Sequence, residues 1–190
     1  MGRREPLQPR HLSRANKLAR GLWGVVWLVL FRPTPRPLHA WRCLLLKLFG
    51  ARIGRRVRVY PSARIWAPWN LQMGDGSCLG DFVDAYCVDT IELGQAALVS
   101  QYAFLCTASH DYTDASLPLI TGPIRIGRQA WVTSDVFVGP GVSIGEGAVV
   151  TARSSVFRDL DPWVVASGNP AVAVRPRTLK NAGPRVPDGR

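Results

Sequence analysis

From Ile126 onward a β-branched aliphatic residue falls at every sixth position: Ile126, Val132, Val138, Ile144, Val150 and Val156. The residue four places after each is small or short and apolar, as in Ala130, Val136, Val142, Ala148 and Ser154. A beat of six matches neither the 3.6-residue helix nor the two-residue alternation of an amphipathic strand. It matches a solenoid whose coil has three flat sides, each a short strand and a corner. The aliphatic residue points inward, the small one packs near the corner, and Gly, Asn or Asp takes the tight turn. One coil cannot bury its own apolar residues, so several must stack. The same beat runs upstream in three frames separated by two-residue slips: Ile53, Val59, Ile65, Leu71; then Met73, Leu79, Ala85, Ile91; then Leu93, Val99, Leu105. Trp69 and Asp89 break the small-residue rule. At about 18 residues per coil, residues 53–170 make about six coils of an all-β solenoid. A β-sandwich with coincidental spacing is the competing reading.

The beat stops once. In the third frame Ser109 takes the inward small position, so His110 turns outward at a corner. The pattern then lapses for about fourteen residues that include two Asp, two Pro and one Gly, and resumes over Ile124–Ile126. This segment should leave the prism as a loop, and long loops in compact repeats are usually functional. His110 is the only one of the three His within the repeat region. A functional loop led by His110 is one reading; a solvated histidine beside a tolerated insertion is the other.

Several chemistries lack their residues. No Walker motif, dinucleotide fingerprint, CxxC or HExxH occurs. A three-histidine metal site cannot be built from one His in the coils. Cys43, Cys78, Cys87 and Cys106 have no metal-like spacing; three of them fall in the coils as small buried residues, in keeping with a reducing compartment. The net charge of +11 gathers in residues 1–58 and 175–190. With no nucleic-acid-binding motif in sight, it points to a phosphorylated cofactor, a lipid-linked sugar pyrophosphate or an anionic membrane rather than to nucleic acid.

The chain divides into a basic N-terminal arm with helices (1–50), the solenoid (51–175) and a basic, Pro- and Gly-containing tail expected to be disordered (176–190). Disorder is also expected at the very start, with helix from about Ser13. The apolar run Gly21–Phe31 stops at Arg32-Pro33. Crossing a bilayer takes about 20 apolar residues, so it does not span alone, and no small-residue cleavage site follows it. A second helix is expected over Leu38–Phe49. These helices either cap the open first coil and fill a subunit contact or make peripheral contact with an anionic membrane through residues 13–49.

The hexapeptide run, Ser109-His-Asp-Tyr112 before an excursion, Ile126-Gly127 with Trp131 close behind, and Ser167-Gly-Asn-Pro-Ala171 together resemble the left-handed β-helix acyltransferases. More narrowly, the Trp- and Arg-rich start, Phe49-Gly-Ala-Arg-Ile-Gly54, Pro68-Trp-Asn-Leu71 and Cys106-Thr-Ala-Ser-His-Asp111 resemble colanic-acid-type O-acetyltransferases of exopolysaccharide clusters, over residues 13–175. The resemblance implies a left-handed parallel β-helix, a homotrimer with its site between neighbouring prisms, and acetyl transfer from acetyl-CoA to a hydroxyl of a sugar or lipid-linked sugar. It implies no metal, and a cytoplasmic location in the bulk or at the inner face of the membrane. His110 becomes the general base. Asp111 either orients its ring or caps the loop. Trp131 either walls the acceptor or pantetheine channel or packs at a subunit contact. Ser134 and Ala152 match positions whose backbone lines the pantetheine arm, and Arg158 and Arg175 match positions that meet the nucleotide phosphates, a role cations suit. The family's Asn near the acceptor is missing, and Asp81 or Asp84 stands in its region. Transfer to a free small acceptor (a simple glycoside, a xenobiotic or serine), transfer of another acyl group, and a non-catalytic scaffold are the alternatives. The pairing of His110 with the excursion argues against a scaffold.

Overall fold

The computed structural model describes residues 13–180 and the pair Glu5–Pro6. Of the ends expected to be disordered, residues 1–4, 7–12 and 181–190 lie outside the described residues. Three stacks of short parallel strands form the sides of a left-handed β-helix of about six turns. The first side comprises Arg52–Ile53, Leu71–Met73, Ile91–Leu93, Ile124–Ile126 and Ser143–Ile144. The second comprises Arg58–Val59, Cys78–Leu79, Leu98–Val99, Trp131–Val132, Val149–Val150 and Val164–Gly168. The third comprises Arg64–Ile65, Asp84–Tyr86, Phe104–Cys106, Phe137–Val138 and Ser155–Val156. Register turns the beat into columns: Val59, Leu79, Val99, Val132 and Val150 stack, all buried, along the second side. The last strand, Ala171–Pro176, folds back antiparallel on Val164–Gly168. Order continues past Pro176, where the Arg177 guanidinium donates to the carbonyls of Gln129 and Gly147.

The slips in the beat mark a wider third corner. Ile53 pairs with Met73 and Met73 with Leu93, steps of 20 residues, whereas Ile126 pairs with Ile144, a step of 18. The inward positions at the wide corner are Ala67, Cys87 and Thr107, two after Ile65, Ala85 and Leu105, and all are buried. In the first coil a 3₁₀ turn, Pro68–Asn70, takes up the extra length, and Asn70 Nδ2 donates to the carbonyls of Cys87 and Val88. Trp69 and Asp89 thus stand outside the inward column and break no rule. Ser109 shifts for the same reason: expected inward, it is exposed. Thr107 holds the inward place, donating to the Tyr86 carbonyl at 2.8 Å and accepting from the Asp89 amide at 2.9 Å.

Glycine is used differently from the expectation. The first corner turns through a left-handed residue in each coil: Arg56, Gly76, Ala96, Gln129, Gly147 and Trp163. Most carry a side chain, although the left-handed conformation costs about 1–2 kcal/mol for an L-residue. What holds them is a ladder in which this residue's amide donates to the coil before it: Gly76 to Arg55, Ala96 to Asp75, Gln129 to Gln95, Gly147 to Arg128 and Trp163 to Glu146. Glycine is needed two residues earlier, at Gly54, Gly74, Gly94, Gly127 and Gly145, because a Cβ there would lie within 3 Å of the next coil's backbone.

Helix α1 (Arg14–Val26) starts at Ser13, whose hydroxyl accepts the Asn16 amide, and runs on through a π turn, Trp27–Phe31. It lies against the third side, with Trp23 Nε1 donating to the Ile65 carbonyl at 2.7 Å and Trp27 Nε1 to that of Ala63 at 2.9 Å. Helix α2 (His39–Leu48) covers the open first coil with Leu45 and Leu46. The buried Arg42 guanidinium spends its protons on the carbonyls of Val59, Pro35 and Arg36 and the hydroxyl of Thr34. Helix α2 thus lies over the first coil and α1 along the third side.

Two alanine substitutions separate close approach from backbone strain. Gly94→Ala puts a Cβ 2.7 Å from the Arg128 amide nitrogen and should lower the unfolding free energy by about 1–3 kcal/mol, the usual cost of overpacking. Gly76→Ala meets nothing within 4 Å and should cost only the left-handed penalty of about 1 kcal/mol. Denaturant midpoints compare them; equal losses would contradict the separation.

Candidate active site

The prism releases the chain after Thr107 and takes it back at Gly122, whose amide bonds the Thr107 carbonyl at 2.9 Å. The excursion between them is a hairpin: Ala108–His110 pairs antiparallel with Leu119–Thr121, placing His110 opposite Leu119. Glu5–Pro6 adds a third strand beside Ile120 and Thr121. At the tip, Asp111 Oδ1 accepts from the amide of Thr113 at 3.0 Å and its hydroxyl at 2.6 Å, and the Asp111 amide bonds the Pro118 carbonyl. Asp114 caps the next turn in the same way, and the bonds from the Ser116 amide and hydroxyl hold its carboxyl below the usual range.

These turns set Leu117 in the left-handed region, at φ 47°, with its amide bonded to the Asp114 carbonyl. Its own carbonyl then meets His110 Nδ1 at 2.6 Å. A carbonyl can only accept, so Nδ1 carries the proton, and in the neutral ring Nε2 keeps its lone pair. The exposed His110 is thereby presented as a base with a fixed tautomer. The group facing Nδ1 is a backbone carbonyl seven residues on, while Asp111 Oδ1 serves the turn. Leu117 was not legible in the sequence, because nothing in its type announces a left-handed loop residue.

Trp131, Ser134 and Ala152 occupy a different edge, whereas Arg158 lies at the corner from which the hairpin leaves. Trp131, 42% exposed, stands on the second side and donates from Nε1 to Ser100 Oγ at 2.9 Å. Ser134 and Ala152 lie one coil apart at the second corner, where the Arg153 amide bonds the Ser134 carbonyl and Arg153 pairs with Asp135 at 3.3 Å. Arg158 is exposed just beyond the last third-side strand, and Arg175 is exposed opposite Val165. The structure brings Trp131, Ser134 and Ala152 together along one edge and His110 to another, with the whole third side between them.

The two acidic candidates also part. Asp81 is committed, with Oδ2 on Arg36 at 2.9 Å and Oδ1 accepting from Ser62 at 2.6 Å. Asp84 lines a groove of about 730 Å³ between α1 and the third side, together with Arg20, Trp27, Arg64, Trp66 and Phe82. Burial lifts the Asp84 carboxyl above its ordinary range, against the pull of Arg64. Sequence reasoning missed this groove. It also missed a column of rings up the third side, Trp66, Tyr86, Phe104, Phe137 and Phe157, with successive centroids 4.9, 6.3, 5.6 and 5.6 Å apart. Each ring sits next to an inward beat residue, a readable signal. Burial drives the Cys87 thiol up to about 12 and raises those of Cys43, Cys78 and Cys106 as well.

No protein-family model matches the chain. Among curated proteins it is 44% identical over 169 residues to the Escherichia coli protein named as the colanic acid biosynthesis acetyltransferase WcaF, covering 89% of this chain and 93% of that one. Among solved structures it is similar to the hexapeptide-repeat acetyltransferase VCA0836 of Vibrio cholerae, with TM-score 0.79, 25% identity and coverage of 88% and 95%. It is also similar in fold to a galactoside acetyltransferase in complex with coenzyme A, with TM-score 0.74, 24% identity and coverage of 88% and 84%. The coil columns, the single excursion and the near full-length match to WcaF agree: the chain belongs to the left-handed β-helix, hexapeptide-repeat acetyltransferases.

Proposed function

We propose that the protein moves acetyl from acetyl-CoA to a sugar hydroxyl in exopolysaccharide assembly, as a cytoplasmic homotrimer. The observation that carries the reading is the His110–Leu117 contact, which leaves Nε2 as the base. A sugar hydroxyl is too weak an acid to attack a thioester unaided. In the proposed step Nε2 takes the hydroxyl proton as the oxygen attacks the acetyl carbonyl. The C–S bond then breaks, and the imidazolium returns the proton to the leaving sulfur. Holding both substrates in place supplies much of the rate, so no acyl-enzyme is required.

The separation within one chain supports an oligomeric site. The edge with Trp131, Ser134 and Ala152 suits a pantetheine arm, with Arg175 on the second-side sheet towards its phosphates, yet His110 stands across the third side, at the corner that Arg158 shares. A second copy laid along that side would bring its edge to this His110. Phe104 and Phe157, 36% and 50% exposed, offer apolar surface for that packing. Asp84 is the better acceptor contact, since Asp81 already serves Arg36 and Ser62. The link to exopolysaccharide rests on the name of WcaF.

Acceptor-dependent release of CoA from acetyl-CoA, measured over a panel of free and lipid-linked sugars, tests the reaction. His110→Ala should lower kcat by about a hundredfold or more, as for loss of a general base, while acetyl-CoA still binds. Unchanged turnover would remove His110 from the chemistry.

Asp84→Asn has a two-part signature. The raised carboxyl pKa means that the native state holds this proton more tightly than the unfolded chain. Stability from this group therefore falls as pH rises through its titration and is lowest at neutral pH. The variant should be at least as stable as wild type at neutral pH. Its KM for acceptor should rise about tenfold, the worth of one hydrogen bond to a charged group. A destabilised variant with normal acceptor KM would contradict both parts.

A further inference from the structure

Helix α1 is apolar on two opposite faces. Trp23, Trp27 and Phe31 turn into the prism, and Trp23 and Phe31 are buried. On the other face Leu18, Leu22, Val25 and Val29, spaced four, three and four apart, are 76, 61, 62 and 59% exposed. Such spacing is one continuous stripe, and a helix apolar all round is normally buried on both faces. Helix α2 repeats the arrangement: Leu45 and Leu46 cover the first coil, while Trp41, Leu44 and Leu48 are exposed. Trp41 Nε1 donates to the Leu30 carbonyl at 2.9 Å, which ties the two exposed stripes together. Soluble monomers seldom leave such contiguous apolar surface to water.

Charge says what covers it. Residues 13–74 hold twelve Lys or Arg and no Asp or Glu. Arg36 and Arg55 are paired with Asp81 and Asp75, and Arg42 is buried. Arg14 and Lys47 are exposed, as are Lys17 and Arg32 at the rim of the groove under α1. A second copy seated face to face on this patch would bring like charges together, whereas an anionic lipid surface complements both the cations and the apolar stripe. No helix of the described residues is long and apolar enough to cross a membrane, so the geometry that fits is a helix pair lying in the interface with Trp41 at headgroup depth.

We propose that the outer face of α1 and α2 docks the protein on the surface of an anionic bilayer. Leu18, Leu22, Val25, Val29, Leu44 and Leu48 enter the headgroup boundary, and Arg14, Lys17, Arg32 and Lys47 hold lipid phosphates. The groove that holds Asp84 lies on the inner side of the same helix, so docking brings that groove to the membrane. The docking is independent of transfer chemistry, and His110→Ala should bind vesicles as wild type does.

Co-sedimentation of the full-length protein with phosphatidylcholine–phosphatidylglycerol vesicles tests it, with pure phosphatidylcholine vesicles as the comparison. Binding should be about tenfold or more tighter on the anionic vesicles, as expected for several basic residues near the surface. Leu22→Glu/Val25→Glu and, separately, Leu48→Glu should each weaken binding about tenfold without lowering the melting temperature. Arg14→Gln/Lys17→Gln should weaken it on anionic vesicles alone. Absence of binding to anionic vesicles would overturn the proposal. So would binding that responds to the charge variants but not to the apolar ones, which is mere adsorption. If the apolar variants instead shrink the assembly in sedimentation without vesicles, the face belongs to a second copy and the proposal fails.

Discussion

Every coil must return to the same three corners one strand spacing, about 4.8 Å, above the last, and the backbone hydrogen bonds between coils enforce that return. They explain how Ala96, Gln129 and Trp163 sit in a conformation that a side chain disfavours, since each of these corners is fixed by its neighbour as well as by itself. Ala96 and Gln129 donate to Asp75 and Gln95, and Trp163 to Glu146. They also explain the glycines at 54, 74, 94, 127 and 145, where the next coil passes too close for any Cβ. A prism built this way tolerates an insertion only where the chain can leave and re-enter without disturbing the stack. The Thr107 carbonyl and Gly122 amide make such a gate.

The hairpin converts that rigidity into chemistry. Its base is anchored in the coil, its tip is folded by two short carboxylate-capped turns, and the second turn sets Leu117 so that its carbonyl reaches His110. The result is an imidazole with one proton assigned and one lone pair offered, at the end of a stiff scaffold. A side-chain carboxylate in the same place would add a charge. A carbonyl fixes the tautomer without adding one. In the proposed assembly the surface that meets this base belongs to an edge of the neighbouring copy.

Much of this was legible in the sequence, for identifiable reasons. The aliphatic columns follow from the six-residue beat because inward positions tolerate little else. The helices announce their ends, α1 at Ser13 and α2 between Leu38 and Gly50. His110 stands out as the histidine at a break in rhythm. The placement of Ser109 failed because a two-residue widening of one corner looks, in a string of letters, like a slip of frame. The corner residues failed because inter-coil hydrogen bonds override the preference for Gly, Asn or Asp. Leu117 could not be found, since the loop rather than the residue type selects its conformation. The two-faced character of α1 was hidden because an all-apolar stretch reads the same whether one face or both are covered.

The central claim is that one copy supplies His110 and its neighbour supplies the edge with Ser134 and Ala152. Subunit mixing tests it most directly. His110→Ala lacks the base, and Ala152→Trp fills the proposed thioester channel, so each alone should be inactive. Assemblies refolded from equal amounts of the two should recover about one quarter of wild-type activity, because three-quarters of the trimers are mixed and each holds one intact site in three. No recovery above the separate variants, in assemblies shown to contain both chains, would place the whole site within one chain and contradict the account.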